Sequence, residues 1–100
     1  MADQVVWSKK ALEDVEAIAT YISRDSVSYT ATVVQEILDV TRHLNESPFS
    51  GRVAPEFSKD NIREKFAYTY RIIYRIQDDT VTIAAVIYGK RLVDKLDSDR

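Results

Sequence analysis

The side chains that could carry chemistry in this sequence are basic residues and tyrosines, and they are concentrated in its second half. Cleavage of RNA needs a base for the 2′-hydroxyl, an acid for the leaving oxygen, and cations for the charge that develops on phosphorus. One set that could supply these groups is Arg63, Lys65, Arg71 and Tyr88. In this interpretation Arg63, Arg71 and Arg75 face one surface, and Tyr88 lies at the end of the last strand.

The same part of the chain could instead bind a partner without catalysis. Arginine at alternate positions is common on an exposed strand face, and tyrosine is an ordinary strand former. Residues 52–91 include eight basic and five acidic side chains, whereas residues 1–50 include four basic and eight acidic. This imbalance favours a cationic surface on the second half of the chain. The residues predicted to contribute to a partner-binding surface are Arg63, Arg71, Arg75, Lys90 and Arg91.

Other kinds of site are not indicated. With no cysteine and one histidine, His43, a metal site is not expected, and we predict a surface or packing role for that histidine. Gly51 and Gly89 are isolated, so no phosphate-binding loop and no cofactor are expected. The acids Glu13 and Asp14 are expected on the solvated side of a helix. A net charge of −2 argues against general nucleic-acid binding, and we expect no sequence-specific DNA binding by this chain alone.

Length and composition fit one cytoplasmic domain covering residues 1–100. A chain of 100 residues with 45% hydrophobic residues has the size and apolar content of a single globular unit. The N-terminal residues lack the basic region of a signal peptide, and no apolar run approaches membrane-spanning length. The absence of cysteine fits a reducing compartment. We therefore expect no membrane association.

Two amphipathic helices are predicted to follow a short first strand. Apolar residues recur at helical spacing in both segments, which gives each helix one apolar stripe. Ser8 is placed to cap the first helix, and Pro48 disfavours helix at the residue before it. The strand is predicted over residues 4–7 and the first helix over residues 9–24. A turn at 25–28 follows, and the second helix then continues to about residue 46.

After a loop at 49–55 the period changes to two, which predicts strands. The strands cover 62–66, 70–76 and 80–88, with a tight turn at Asp78 and Asp79 and a final helical turn within 90–96. The order β-α-α-β-β-β predicts an α+β fold, in which a helical hairpin packs on one face of a four-stranded, mainly antiparallel sheet. Arg71, Ile73 and Arg75 are expected on the other face. Little of the chain remains to cover that face, so it is a candidate partner surface.

Several segments, taken in order, resemble the ParE/RelE toxin superfamily of type II toxin–antitoxin systems, and the resemblance is closer to ParE. They span nearly the whole chain, and no single one is specific alone. The segments are WSKKALEDV at 7–15 with Ile18, Tyr21 and Ile22; LNESP at 44–48 with Gly51 and Arg52; IRE at 62–64; YRIIYRI at 70–76; and VIY at 86–88 with Arg91.

The resemblance implies a toxin that a small antitoxin neutralises with its C-terminal segment. ParE-like members bind and inhibit DNA gyrase, which implies growth arrest and a role in plasmid stabilisation. RelE-like members are ribosome-dependent mRNA endoribonucleases, and here that alternative would use Arg63, Lys65, Arg71 and Tyr88. Many relatives place a histidine where this chain has Tyr88, which removes one possible acid–base group. A third possibility is a non-toxic relative that serves only as an antitoxin-binding or corepressor module.

Overall fold

The secondary structure follows the predicted order, with one short strand added. The computed structural model of the chain describes residues 2–93. Within these residues, neither helix combines the length and apolar character needed to cross a bilayer. The elements are β1 (Gln4–Trp7), α1 (Lys9–Ser23), α2 (Val27–Arg42), β2 (Arg52–Val53), β3 (Ile62–Ala67), β4 (Tyr70–Gln77) and β5 (Thr80–Tyr88), with a 3-10 turn at Pro48–Ser50.

Serine side chains cap both helices at their N-termini. The Ser8 hydroxyl accepts a hydrogen bond from the Ala11 N–H at 3.0 Å, as predicted, and the Ser26 hydroxyl accepts one from the Tyr29 N–H at 3.1 Å. The second helix ends at Arg42, about four residues before its predicted end. A turn replaces its expected last residues and leads into Pro48.

The sheet has five strands in the order β1-β5-β4-β3-β2, whereas four were predicted. β1 pairs in parallel with β5, and every other pair of neighbours is antiparallel. The additional strand, β2, pairs Arg52 with Glu64 and Val53 with Arg63. Two residues are too few to show an alternating pattern, so this strand was predicted as loop.

The helical hairpin covers one sheet face, as predicted, and the core there is closed by a buried tyrosine. The Tyr74 hydroxyl donates to the Pro48 carbonyl at 2.7 Å and accepts from the Gly51 N–H at 3.0 Å. A Cβ at Gly51 would lie 2.5 Å from the Glu64 carbonyl oxygen, so only glycine permits this approach. Other buried residues of this core include Ala11, Ile22, Val33, Ile37, Ile72, Val81, Ile83 and Val86.

The second sheet face is largely covered, which corrects the prediction that little of the chain would cover it. Ile62, Ile73 and Ala85 on the strands form a second core with Ala54, and Phe57 and Val93 pack against it. The segment between β2 and β3, together with the residues after β5, therefore folds across this face. Residues 90–93 are not helical, and the remainder of the predicted final helical turn lies outside the described residues.

Candidate partner-binding groove

A groove of about 790 Å³ runs between α1 and the end of β5. Its helical wall comes from side chains spaced three to four residues apart on α1, which is the spacing that places residues on one face. Its floor comes from β4 and β5, and its outer rim from the residues that follow β5. The lining residues are Lys10, Asp14, Ala17, Ile18, Tyr21, Tyr70, Val86, Ile87, Tyr88, Arg91, Leu92 and Val93.

One end of the groove is formed by an ion pair that contacts the sheet backbone. Lys10 Nζ lies 2.5 Å from Asp14 Oδ1 across one helical turn. Asp14 Oδ2 accepts a hydrogen bond from the Val86 N–H at 2.9 Å. The prediction that Asp14 is merely solvated is therefore wrong, because its carboxylate joins α1 to β5.

The other end of the groove is rich in tyrosine. The rings of Tyr70 and Tyr88 meet edge to face with their centroids 6.3 Å apart, and Tyr21 is exposed beside them. Burial raises the pKa of Tyr70, and the nearby hydroxyls of Tyr29, Tyr21 and Tyr88 raise this pKa further. The Tyr70 phenol is therefore neutral near pH 7. Tyrosine offers a large contact area with few rotatable bonds, which suits it to protein recognition.

Arg71 lies in a buried ion-pair network on the second sheet face, only 3% exposed. Its guanidinium lies 2.6 Å from Glu56 Oε1 and 2.6 Å from Glu64 Oε1. The hydrogen bonds from Arg71 lower the pKa of Glu56 to about 2, although burial opposes this shift. The hydrogen bonds from Glu56 in turn raise the pKa of Arg71.

The same network fixes the outer rim of the groove. Arg71 Nη1 donates to the Arg91 carbonyl at 2.9 Å, and the Val93 N–H donates to Glu56 Oε2 at 3.2 Å. Arg71 thus holds the backbone of residues 91–93 in place, while the Arg91 and Leu92 side chains remain exposed. In this structure Arg71 is a positioning residue and is not itself open to a partner.

Arg63 and Lys65 lie on the opposite sheet face from Arg71. The register pairs Arg63 with Tyr74 and Lys65 with Ile72, both of which face the helices, whereas Arg71 pairs with Phe66. Paired residues point to the same side of a sheet. The prediction that Arg63, Arg71 and Arg75 share one surface is therefore wrong.

Arg63 and Lys65 hold the loop that precedes β2. Arg63 Nη1 donates to the Gly51 carbonyl at 2.9 Å, and its guanidinium stacks over Phe49 at 4.8 Å from the ring centroid. Lys65 Nζ lies 3.3 Å from the Ser50 hydroxyl. Both side chains are thus engaged with the loop.

The remaining predicted contact residues differ in exposure. Lys90 and Arg91 are exposed, and Arg91 lines the groove. Arg75 is half-buried, and within residues 2–93 its buried Nε has no hydrogen-bond partner. Of the ribonuclease set, only Tyr88 lines the groove, so the four residues of that set do not converge here.

Sequence reasoning did not identify the groove residues contributed by α1. Lys10, Asp14, Ile18 and Tyr21 recur at helical spacing, and that spacing was the available signal. It did not reveal which strand this side of the helix would meet, because the contact from Asp14 to Val86 spans 72 positions.

Residues 5–93 match the family model described as "ParE toxin of type II toxin-antitoxin system, parDE". The chain therefore belongs to the ParE toxin family. No curated protein sequence matches it significantly.

Solved structures share the fold at low sequence identity. One is from the chromosomal ParDE toxin–antitoxin system of P. aeruginosa, with a TM-score of 0.71, 18% identity, and coverage of 87% of this chain and 96% of that chain. A YoeB/ParE toxin from Agrobacterium tumefaciens gives a TM-score of 0.61 at 18% identity, covering 85% and 96%. A YoeB dimer from Staphylococcus aureus gives 0.57 at 14% identity, covering 85% and 94%.

Proposed function

We propose that this chain is the toxin of a type II toxin–antitoxin pair, that it acts on DNA gyrase by binding, and that a cognate antitoxin neutralises it. Membership of the ParE family carries the proposal. Because the proposed target is DNA gyrase, the protein would act in the cytoplasm. Its binding to gyrase would arrest growth, and this activity can stabilise a plasmid.

The groove is the proposed docking site for an extended antitoxin segment. Val86, Ile87 and Tyr88 of β5 line it, so an extended segment could lie along the end of this strand beside α1. Ile18 and Tyr21 would accept apolar side chains, while Arg91 at the rim would attract an acidic one. An apolar and acidic segment fits this lining.

The predicted contact residues then divide between two roles. Lys90 and Arg91 are exposed and are proposed to meet the antitoxin or the target directly. Arg63 and Arg71 are proposed to act indirectly, by holding the 49–51 loop and the 91–93 segment. Arg75 is proposed as a peripheral contact.

The groove assignment is testable with two substitutions on the same helix. Tyr21→Ala removes a groove side chain, whereas Leu12→Ala removes an exposed side chain outside the groove lining. Truncation of a large aromatic contact that a partner buries can weaken binding by about 2 kcal/mol, or roughly thirtyfold. The cognate antitoxin is expected to bind Tyr21→Ala that much more weakly and Leu12→Ala unchanged. Equal affinities for the two variants would reject the groove.

Binding is favoured over RNA cleavage by the placement of the ribonuclease set. A general acid or base must come within hydrogen-bonding reach of the proton that it transfers. Arg71 is enclosed by Glu56 and Glu64, and it lies across the sheet from Arg63 and Lys65. A ribonuclease that uses all four residues would need a different arrangement.

The target is tested with purified toxin, gyrase and plasmid DNA. Loss of supercoiling with trapped linear DNA, reversed by the antitoxin, is the expected result. Unaffected gyrase, together with codon-dependent mRNA cleavage in a translating extract, would replace the proposal with the ribonuclease alternative. Expression without growth arrest would instead indicate a non-toxic antitoxin-binding module.

A further inference from the structure

A band of tyrosines leads out of the groove and across the start of α2. It contains five of the chain's six tyrosines. Tyr70 and Tyr88 meet edge to face in the groove, beside Tyr21. Besides burial, the nearby Tyr29 hydroxyl raises the pKa of Tyr70, and the centroid of the Tyr29 ring lies 6.3 Å from that of Tyr68. The tyrosine band therefore connects the groove to the turn between β3 and β4.

A second cavity, of about 490 Å³, opens between Tyr68 and the outer side of α2 at the far end of this band. Among the described residues, none of those that line it is basic and two are acidic. Asp39 is already engaged, because its Oδ1 accepts from the Gln35 amide at 3.0 Å and lies 3.0 Å from Arg42 Nη2. Within residues 2–93, the carboxylate of half-buried Glu36 has no hydrogen-bond or ion-pair partner. The cavity thus places an exposed aromatic ring beside an open carboxylate.

The backbone at Tyr68 is unfavourable for its residue type. Tyr68 and Thr69 form the turn between the paired residues Ala67 and Tyr70. The φ of Tyr68 is 54°, in the left-handed region that glycine and asparagine adopt at lower cost. The Tyr68 side chain is 52% exposed, so little burial offsets this cost. A side chain that is kept at an unfavourable φ and left at the surface indicates a role outside the core.

We propose that Tyr68 and Glu36 bind a lysine or arginine side chain of the antitoxin, an inference that rests on the proposed function. A cation over a tyrosine ring is attracted to its π electrons, and a carboxylate at the same site pairs with the charge. The tyrosine band supplies the contact surface between the groove and this cavity. The antitoxin segment in the groove continues along the band, and its basic side chain enters the cavity.

Charge complementarity specifies the order of residues in that segment. Arg91 at the rim of the groove favours an acidic residue, whereas Glu36 at the far end of the band favours a basic one. A segment with the opposite order would place like charges together at both ends. The two ends of the path therefore select an antitoxin segment in which an acidic and apolar part lies in the groove and a basic residue lies beyond it.

Calorimetric titration of the full chain with its cognate antitoxin tests the cavity. Tyr68→Gly removes the ring and relieves the positive φ, so its stability in urea should stay close to that of the wild type while its affinity falls roughly threefold to tenfold. Tyr68→Phe keeps the ring and should bind like the wild type. So should Val27→Ala, which removes an exposed side chain of α2 outside both linings. Glu36→Gln should weaken binding roughly threefold, and replacement of one antitoxin lysine or arginine by alanine should then cost nothing further.

Unchanged affinity in Tyr68→Gly would reject the cavity, and so would the absence of any antitoxin cation that is coupled to Glu36. Weaker inhibition of gyrase by Tyr68→Gly at unchanged antitoxin affinity would assign the cavity to the target instead. Tyr21→Ala separates this inference from the groove. If Tyr21→Ala binds weakly while Tyr68→Gly and Glu36→Gln bind like the wild type, the groove stands and the cavity is rejected. If all three variants bind like the wild type, both are rejected.

Discussion

Removing the buried guanidinium of Arg71 is expected to destabilise the protein more than any change at an exposed arginine. Arg71→Ala removes the cation that Glu56 and Glu64 share. Their side chains are 9% and 0% exposed, and only Glu64 keeps a second ion pair, with Arg52. Breaking a buried ion pair by removing one partner costs about 3–5 kcal/mol, because a charge remains in a poorly solvated site. Small domains unfold with about 5–15 kcal/mol, so this loss is a large share of the total.

The measurement is urea denaturation followed by circular dichroism. Arg42→Ala is the control, because Arg42 makes an ion pair with Asp39 in which the two side chains are 58% and 47% exposed. Exposed pairs contribute about 1 kcal/mol or less. We expect a loss of at least about 3 kcal/mol for Arg71→Ala and little change for Arg42→Ala. If the two variants lost similar free energy, the network would not be buried in the way the distances indicate.

A local readout separates stability from positioning. In Arg71→Ala the Arg91 carbonyl loses its partner, so residues 91–93 should become cleavable by protease before the core unfolds. Cleavage that begins only with global unfolding would show that the segment is held by its packing on the second core instead.

Three further changes follow from single contacts. In the folded protein the pKa of Glu56 is about 2, below its ordinary 4.5. The ionised carboxylate therefore contributes fully to the free energy of unfolding above about pH 4.5, and this contribution disappears as the pH falls toward 2. In a measured curve of stability against pH, Glu56→Gln should flatten the acid side. Ser8→Ala should cost about 1–2 kcal/mol in urea denaturation, because Ser8 caps α1, and no loss would contradict the cap. Gly51→Ala should cost about 1–3 kcal/mol in the same assay, because its Cβ would meet the Glu64 carbonyl and the Tyr74 hydroxyl, and an unchanged stability would show that the loop can move away.

The elements that were predictable are those whose signal lies within one segment. The apolar stripes of α1 and α2, the Ser8 cap and the alternation from Ile62 to Tyr88 each report a local preference. The 3-10 turn at Pro48–Ser50 and the two-residue strand β2 are too short to carry such a signal. They exist because Tyr74 and Arg63 bind the carbonyls of Pro48 and Gly51 from distant strands.

The candidate site was harder to predict because residue type alone does not determine a side chain's surroundings. Alternation correctly separated Arg71 and Arg75 from Tyr70 and Tyr74 within β4, but it did not determine the register with β3 that places Arg63 on the helical side. Neither did it show that Glu56, from a segment without regular structure, would meet Arg71.

Tertiary contacts determine what each charged residue does in this fold. Arg71 is enclosed by two carboxylates and is occupied internally, whereas Arg91 extends from the segment that Arg71 holds and remains exposed. Asp14 is likewise engaged by a backbone amide, while Glu16 two residues later is exposed. A count of charges along the sequence does not distinguish Arg71 from Arg91, or Asp14 from Glu16. The tertiary contacts separate them into residues that shape the groove and residues that a partner can reach.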